Sequence, residues 1–170
     1  MHRRIFAMGL LASLLGLLGL PGCDAQRLAA LEPGVSTEAD VRARFGPPDE
    51  TRDGEGGTRV LDYSRQPAGH ENHRITLGPD GRVARIEQLL TAERFARIRP
   101  GQTASDVRLA LGRPMRVTPF ALQRETHYDW RYLAGPNVSD SRVFTVVVDE
   151  DQRVVRTSSA PDPDLRPDGH

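Results

Sequence analysis

Ile98-Arg99-Pro100-Gly101-Gln102-Thr103-Ala104-Ser105-Asp106-Val107-Arg108-Leu109-Ala110-Leu111-Gly112-Arg113-Pro114 decides the fold, because the chain says it twice. Leu31-Glu32-Pro33-Gly34 answers its first four residues. Thr37, Asp40, Val41, Arg42, Phe45, Gly46 and Pro48 answer Thr103, Asp106, Val107, Arg108, Leu111, Gly112 and Pro114. The earlier copy carries one extra residue, in Val35-Ser36. Self-similarity at this length marks one supersecondary unit used twice.

Each copy has a physical reading. Pro-Gly forces a turn. Thr37 and Thr103 are placed to cap a helix, with Asp40 and Asp106 at capping-box spacing. Val41 with Phe45, and Val107 with Leu111, are four apart and share one helix face. Gly46 and Gly112 sit where a left-handed residue would stop the helix, and Pro48 and Pro114 prevent its return. A short helix before each Pro-Gly is also expected, over 26–31 and 92–98.

Strands follow. Residues 59–64 correspond to 128–133, with Asp62-Tyr63 matching Asp129-Trp130, and residues 74–77 correspond to 143–148. Pro79-Asp80-Gly81 is a strong hairpin signal, and residues 149–152 fill its place in the second copy. Arg82-Val83 and Arg153-Val154 open a last strand. The pattern predicts α+β architecture: two tandem units, each helix, helix and a three-stranded antiparallel sheet, with helices on one sheet face. At roughly 65 residues each unit is marginal alone, so the two should pack on each other. The expected boundaries are 23–90 and 91–157. Residues 158–170 hold Pro161, Pro163, Pro167 and Gly169 with almost nothing apolar, and composition predicts a disordered tail.

The start of the chain has its own chemistry. His2, Arg3 and Arg4 precede an uncharged run over 5–20, which Leu20-Pro21-Gly22-Cys23 closes. A basic start, a short apolar run and small residues at a junction read as an export signal over 1–22. The run is shorter than the ~20 residues a membrane span needs. Cys23 is the single cysteine of the 170-residue chain. Directly after the junction, it makes the segment similar to a bacterial lipoprotein signal, which implies a diacylglycerol on that thiol. Two or more acyl chains hold stably, at ~0.8 kcal/mol per buried methylene.

The 23 basic residues match 23 acidic ones, and losing Arg3 and Arg4 leaves 21 against 23. No basic excess argues for nucleic acid or an anionic surface. There is no Gly-x-Ser-x-Gly elbow and no Gly-rich loop before a Lys, and the one thiol is committed to lipid, so nothing points to catalysis, cofactor or small-molecule substrate. His70-Glu71-Asn72-His73 lacks zincin spacing, which needs two residues between Glu and the second His, and no metal is expected there. Asp149-Glu150-Asp151 reads as a solvated turn.

Ile98-Arg99, Gly101, Thr103, Val107, Leu111-Gly112, Pro114, Pro119-Phe120, Trp130 and Tyr132, in that order, resemble the SmpA/OmlA (BamE-like) family of small outer-membrane assembly lipoproteins. Arg65-Gln66-Pro67, Gly69 and Glu71 resemble a loop of the same family. The resemblance implies a periplasm-facing, non-enzymatic lipoprotein that binds barrel-assembly machinery components. The tandem is similar to β-lactamase inhibitor proteins, which share the fold and grip an enzyme with a concave sheet surface. That keeps a second function open, a tethered inhibitor or binding module. Asp24 follows the cysteine, and in enteric bacteria an aspartate there retains a lipoprotein in the inner membrane. The expected location is the outer membrane, with the inner one open.

Tyr128, Trp130 and Tyr132 alternate and so line one strand face. They are partner-binding candidates, since Trp and Tyr favour interface hot spots, or they are core against the helices. Phe120, expected in a loop beside Pro119, is the fourth candidate. An aromatic on a loop needs a pocket, which a partner or the chain's own sheet supplies.

Overall fold

The computed structural model describes residues 24–165. The export signal and Cys23 lie outside the described residues, as do positions 166–170 of the expected tail.

Each Thr-x-x-Asp stretch forms its helix. Thr37 caps α2 (Glu38–Phe45) and Thr103 caps α4 (Ala104–Leu111), both as full capping boxes with Asp40 and Asp106. Two backbone donors that the helix start would orphan are thereby satisfied in each unit. The leading helices differ from expectation: α1 spans Asp24–Ala29, two residues earlier than expected, and α3 spans only Ala92–Phe95.

The stop differs from expectation in an informative way. Gly46 has φ 77° and ψ −161°, and Gly112 has φ 75° and ψ −164°. Neither is the left-handed helical conformation. Both lie in an extended positive-φ region open essentially to glycine alone, which sends the chain straight into a strand.

That strand is one the sequence pattern missed. Each sheet has four strands, not three. The first runs β1 (Glu50–Asp53), β2 (Arg59–Ser64), β3 (Asn72–Leu77) and β4 (Val83–Gln88). The second runs β5 (Arg116–Phe120), β6 (Glu125–Leu133), β7 (Ser141–Val148) and β8 (Val154–Pro161). Both sheets are antiparallel with strands in sequence order. The same bridge ties each helix start to its last hairpin, Thr37 to Arg82 and Thr103 to Arg153. The α+β architecture of two tandem units therefore stands. The expected tail does not: β8 continues through Ser158–Pro161, and Asp162 is buried behind it.

Alternation gives each sheet a helix-facing side. Leu61, Tyr63, Ile75 and Leu77 pack with Val41 and Phe45 of α2. Trp130, Tyr132, Phe144, Val146 and Val148 pack with Phe95, Val107 and Leu111. The reverse side of the first sheet is used to join the units. Asn72, 1% exposed, donates to the carbonyls of Leu111 (2.8 Å) and Arg113 (2.9 Å) just past α4. Arg74 donates to Leu109 O at 2.7 Å. The end of α4, which would otherwise carry orphan carbonyls, is capped by side chains of the preceding unit.

A second joint lies at the β2–β3 loop. The amide of Gln66 donates to Arg131 O (2.8 Å) and accepts from Arg131 N (3.2 Å), pairing with β6 just beyond the reach of β5. His70 Nε2 lies 3.0 Å from Ser141 Oγ, which donates to Asp162 Oδ2 at 2.9 Å. Burial first, and then Arg131, hold His70 below its ordinary value of 6.5. Arg131 Nε lies 2.5 Å from Asp162 Oδ2, yet its N–H does not point at that oxygen; the contact is an ion pair without a hydrogen bond on that nitrogen.

Candidate functional site

Of the four aromatic candidates, two are core. Trp130 is fully buried and donates its indole N–H to Gly112 O at 3.1 Å. Tyr132 is buried, stacked edge-on to Phe95 at 4.7 Å, with its hydroxyl 2.8 Å from Ser159 Oγ. Their face of β6 looks at the helices, so neither is offered to a partner. The physical reason is the helix layer: the face carrying a unit's large apolar side chains is the one the helices cover. Tyr128, at the end of the stripe, is half-buried and donates to Gln152 Oε1 at 3.0 Å.

Phe120 is placed differently. It ends β5 and is not in a loop; Pro119 is tolerated because β5 is an edge strand. Phe120 lies on the reverse face, 4.3 Å from the His127 ring, and remains 38% exposed. The turn beyond it carries Leu122, 95% exposed, and Arg124 in a positive-φ conformation closes the turn. Val117 adds a third exposed apolar side chain on the same hairpin. Sequence reasoning missed Val117, Leu122 and His127; an isolated leucine in a polar turn, Ala121-Leu122-Gln123-Arg124, was the available signal.

Behind this hairpin the reverse face of the second sheet forms a groove of about 690 Å³, lined by Phe120, His127, Val143, Thr145, Ala160 and Pro163 among others. Its charges are neutralised from within. Arg116 grips Asp129 at 2.9 Å, and Thr145 donates to the same carboxylate at 2.7 Å. Arg156 binds Glu125 through two nitrogens at 2.5 and 2.7 Å. The Arg156 hydrogen bonds, aided by His127, bring the Glu125 carboxyl down to about 2. On the first sheet Asp62, the counterpart of Asp129, is pushed up by burial. Arg74 and Arg52 outweigh that and hold it below the usual carboxylate range.

The groove thus offers apolar surface and internally satisfied polar groups. Such a surface suits protein contact better than proton or group transfer. His70 and His73 are occupied, His70 by Ser141 and His73, in β3, by Glu71 at 2.9 Å. Among the described residues no helix is long and apolar enough to cross a membrane.

Against known proteins, residues 87–158 match the family described as the outer membrane protein assembly factor BamE domain. No curated protein sequence matches the chain. Among solved structures, the DUF4309 family protein YjgB of Bacillus subtilis is 22% identical over 78% of this chain and 83% of its own, with a TM-score of 0.30. A putative β-lactamase inhibitor protein of Streptococcus mutans is 9% identical over 81% of this chain and 94% of its own, with a TM-score of 0.31. The BamE-domain match spans the second helix-and-sheet unit, from the end of β4 through most of β8.

Proposed function

We propose that this chain is a membrane-tethered, non-catalytic accessory factor in outer-membrane β-barrel assembly, held by a diacylglycerol thioether on Cys23 and facing the periplasm. The observation that carries the reading is the BamE-domain match over the second unit. Its partners are other components of the assembly machinery. The contact residues proposed are Phe120 and Tyr128, joined by the hairpin neighbours Val117 and Leu122. Phe120 lies on the reverse face and Val117 pairs with Tyr128 on the other, so a partner pocket would close over this hairpin from its tip, where Leu122 is 95% exposed.

The tether is short in this reading. Asp24, the residue after Cys23, is gripped by Arg65 Nε (2.5 Å) and Nη2 (2.9 Å). The body would ride against its anchor without a flexible stalk. An engaged carboxylate supports the outer membrane over inner-membrane retention. Cys23→Ser is expected to release the body into the periplasm, and Arg65→Ala to leave it anchored.

A second reading, a tethered inhibitor or binding module for an enzyme, draws on the open reverse face of the second sheet. It keeps Phe120 as its one large aromatic there, because Trp130 and Tyr132 face the helices.

Cells lacking the chain test the proposal. They should accumulate less folded β-barrel protein in the outer membrane. The parent chain should restore the level, and Phe120→Ala with Leu122→Ser should not. Unchanged barrel levels without the chain would contradict the assembly role, and co-purification with a periplasmic enzyme alone would favour the second reading.

A further inference from the structure

We propose that β8, whose outer edge pairs with no other strand among the described residues, is where two copies of this chain pair about a two-fold axis at Ser158. The backbone bonds around β8 say which groups face outward. Val154 N donates to Gln102 O and Gly101 N to Val154 O, both at 2.8 Å, so the backbone of Val154 points away from β7. The register then slips by one residue: Val148 faces Val154, and Val147 faces Arg156. Past that bulge the alternation of an antiparallel ladder turns Arg156, Ser158 and Ala160 toward β7, and Thr157, Ser159 and Pro161 outward. Two contacts agree. Asp162 N bonds back to Ser141 O at 3.1 Å, and Ser159 O is reached by the Arg142 guanidinium at 3.1 Å from outside the ladder. Pro161, which has no N–H, stands where a ladder partner would not miss one.

The other three edges are guarded. β1 has four residues, three of them charged; β5 has five and contains Pro119; β4 carries Arg85 and Glu87. Short length, charge and proline are the usual devices against edge pairing. β8 has eight residues and a single charge, Arg156, which Glu125 already holds. The rest of its open stretch is Thr157-Ser158-Ser159-Ala160, whose side chains are small; the group that reaches across it is the Arg142 guanidinium on Ser159 O, which a second copy's backbone N–H would share or displace.

The open stretch also has ends. The 101–102 loop covers Val154 on one side, and the short helical turn Pro163–Leu165 leaves the strand on the other. Between them lie residues 155–161, whose midpoint is Ser158. An antiparallel copy centred there sets Thr157 against Ser159 of the other copy, with backbone bonds in both directions, and Ser158 against itself. Arg156 meets Ala160, so no like charges face each other. Because the pairing is isologous it closes as a dimer and consumes its own edge. The result is one eight-stranded sheet with the two reverse-face grooves side by side.

The test uses the full chain carrying Cys23→Ser, so that an introduced thiol stands alone. Ser158→Cys should form an interchain disulfide under mild oxidation, since residues facing each other across such an axis bring their Cβ atoms within bridging distance. Arg156→Cys, four positions off its own symmetry mate, should link slower by on the order of tenfold. In sedimentation, the chain without an introduced cysteine should show a concentration-dependent dimer. Ser158→Arg, which sets two guanidinium groups across the axis, should stay monomeric with an unchanged melting curve. Equal linking by both cysteines, or a parent that stays monomeric at every concentration sampled, would overturn the proposal.

Discussion

Trp130 donates its indole N–H to the carbonyl of Gly112 at 3.1 Å, and Tyr63 donates its hydroxyl to the carbonyl of Gly46 at 3.3 Å. The two bonds are the same device in the two units. An aromatic on the second strand of each sheet secures the glycine that turns the helix into the first strand. The bond explains why Trp130 is core: its polar edge is satisfied inside the unit, and its ring fills the space under α4. Trp130→Phe should lower stability by about 2–4 kcal/mol, through lost volume and a buried carbonyl left without its donor. Tyr63→Phe, which loses only the hydroxyl, should cost about 1 kcal/mol. Urea midpoints measure both. The lone tryptophan should also resist acrylamide quenching until the transition, and free quenching in the native state would contradict its placement.

The two glycines separate strain from crowding. A Cβ at Gly46 meets nothing within 4 Å, whereas one at Gly112 comes 3.1 Å from Asn72 Nδ2 and 3.3 Å from Leu89 Cδ1. Gly46→Ala should cost roughly 1–3 kcal/mol for the backbone conformation alone. Gly112→Ala should cost more and weaken the joint between units. Equal losses would mean the joint yields freely.

Asn72 is the hinge pin of that joint. Asn72→Leu keeps its volume and removes both bonds to the end of α4, leaving the carbonyls of Leu111 and Arg113 unpaired. A loss of roughly 1–3 kcal/mol follows. Hydrogen exchange should quicken at the ends of β3 and α4 before it quickens in either core. Unchanged protection there would show that the units are held elsewhere.

Acid should act in two steps. Glu125 is lowered to about 2, chiefly by hydrogen bonds from Arg156. Its contribution is complete above the ordinary carboxylate value of 4.5 and is lost as pH falls toward about 2. His70 is also lowered, from 6.5, by burial and then by Arg131. The folded state disfavours its protonation, so stability declines as pH drops below 6.5. His70→Gln should flatten the first decline, and Glu125→Gln the second. Stability rising between pH 7 and 5 would reverse the sign assigned to His70.

What could be read from sequence was whatever is written in local chemistry. Thr37 with Asp40 and Thr103 with Asp106 announce their capping boxes, and Pro79-Asp80-Gly81 its turn, because these need only neighbours in the chain. The edge strands were illegible for the opposite reason. Glu50–Asp53 is mostly charged and Arg116–Phe120 contains a proline, so neither shows alternating apolar residues. The strand opening at Val154 is legible, but its end, Ser158–Pro161, reads as tail because Ser158-Ser159-Ala160 presents no apolar face; the ladder to β7 orders it instead. At the candidate site, Phe120 was found as an exposed aromatic, but the faces of β6 could not be told apart until the helices were placed over one of them. Nothing in the sequence marks Asn72 or Gln66 as joining the units, since their partners lie 39 and 65 residues away.

The most direct measurement is photocrosslinking in the native envelope from a photoreactive residue at position 122. The assembly-factor account predicts that this position captures a barrel-assembly component, and that the same probe at Val35, exposed on the first unit, does not. Capture of no assembly component from position 122, under conditions where the chain is present and anchored, would contradict it.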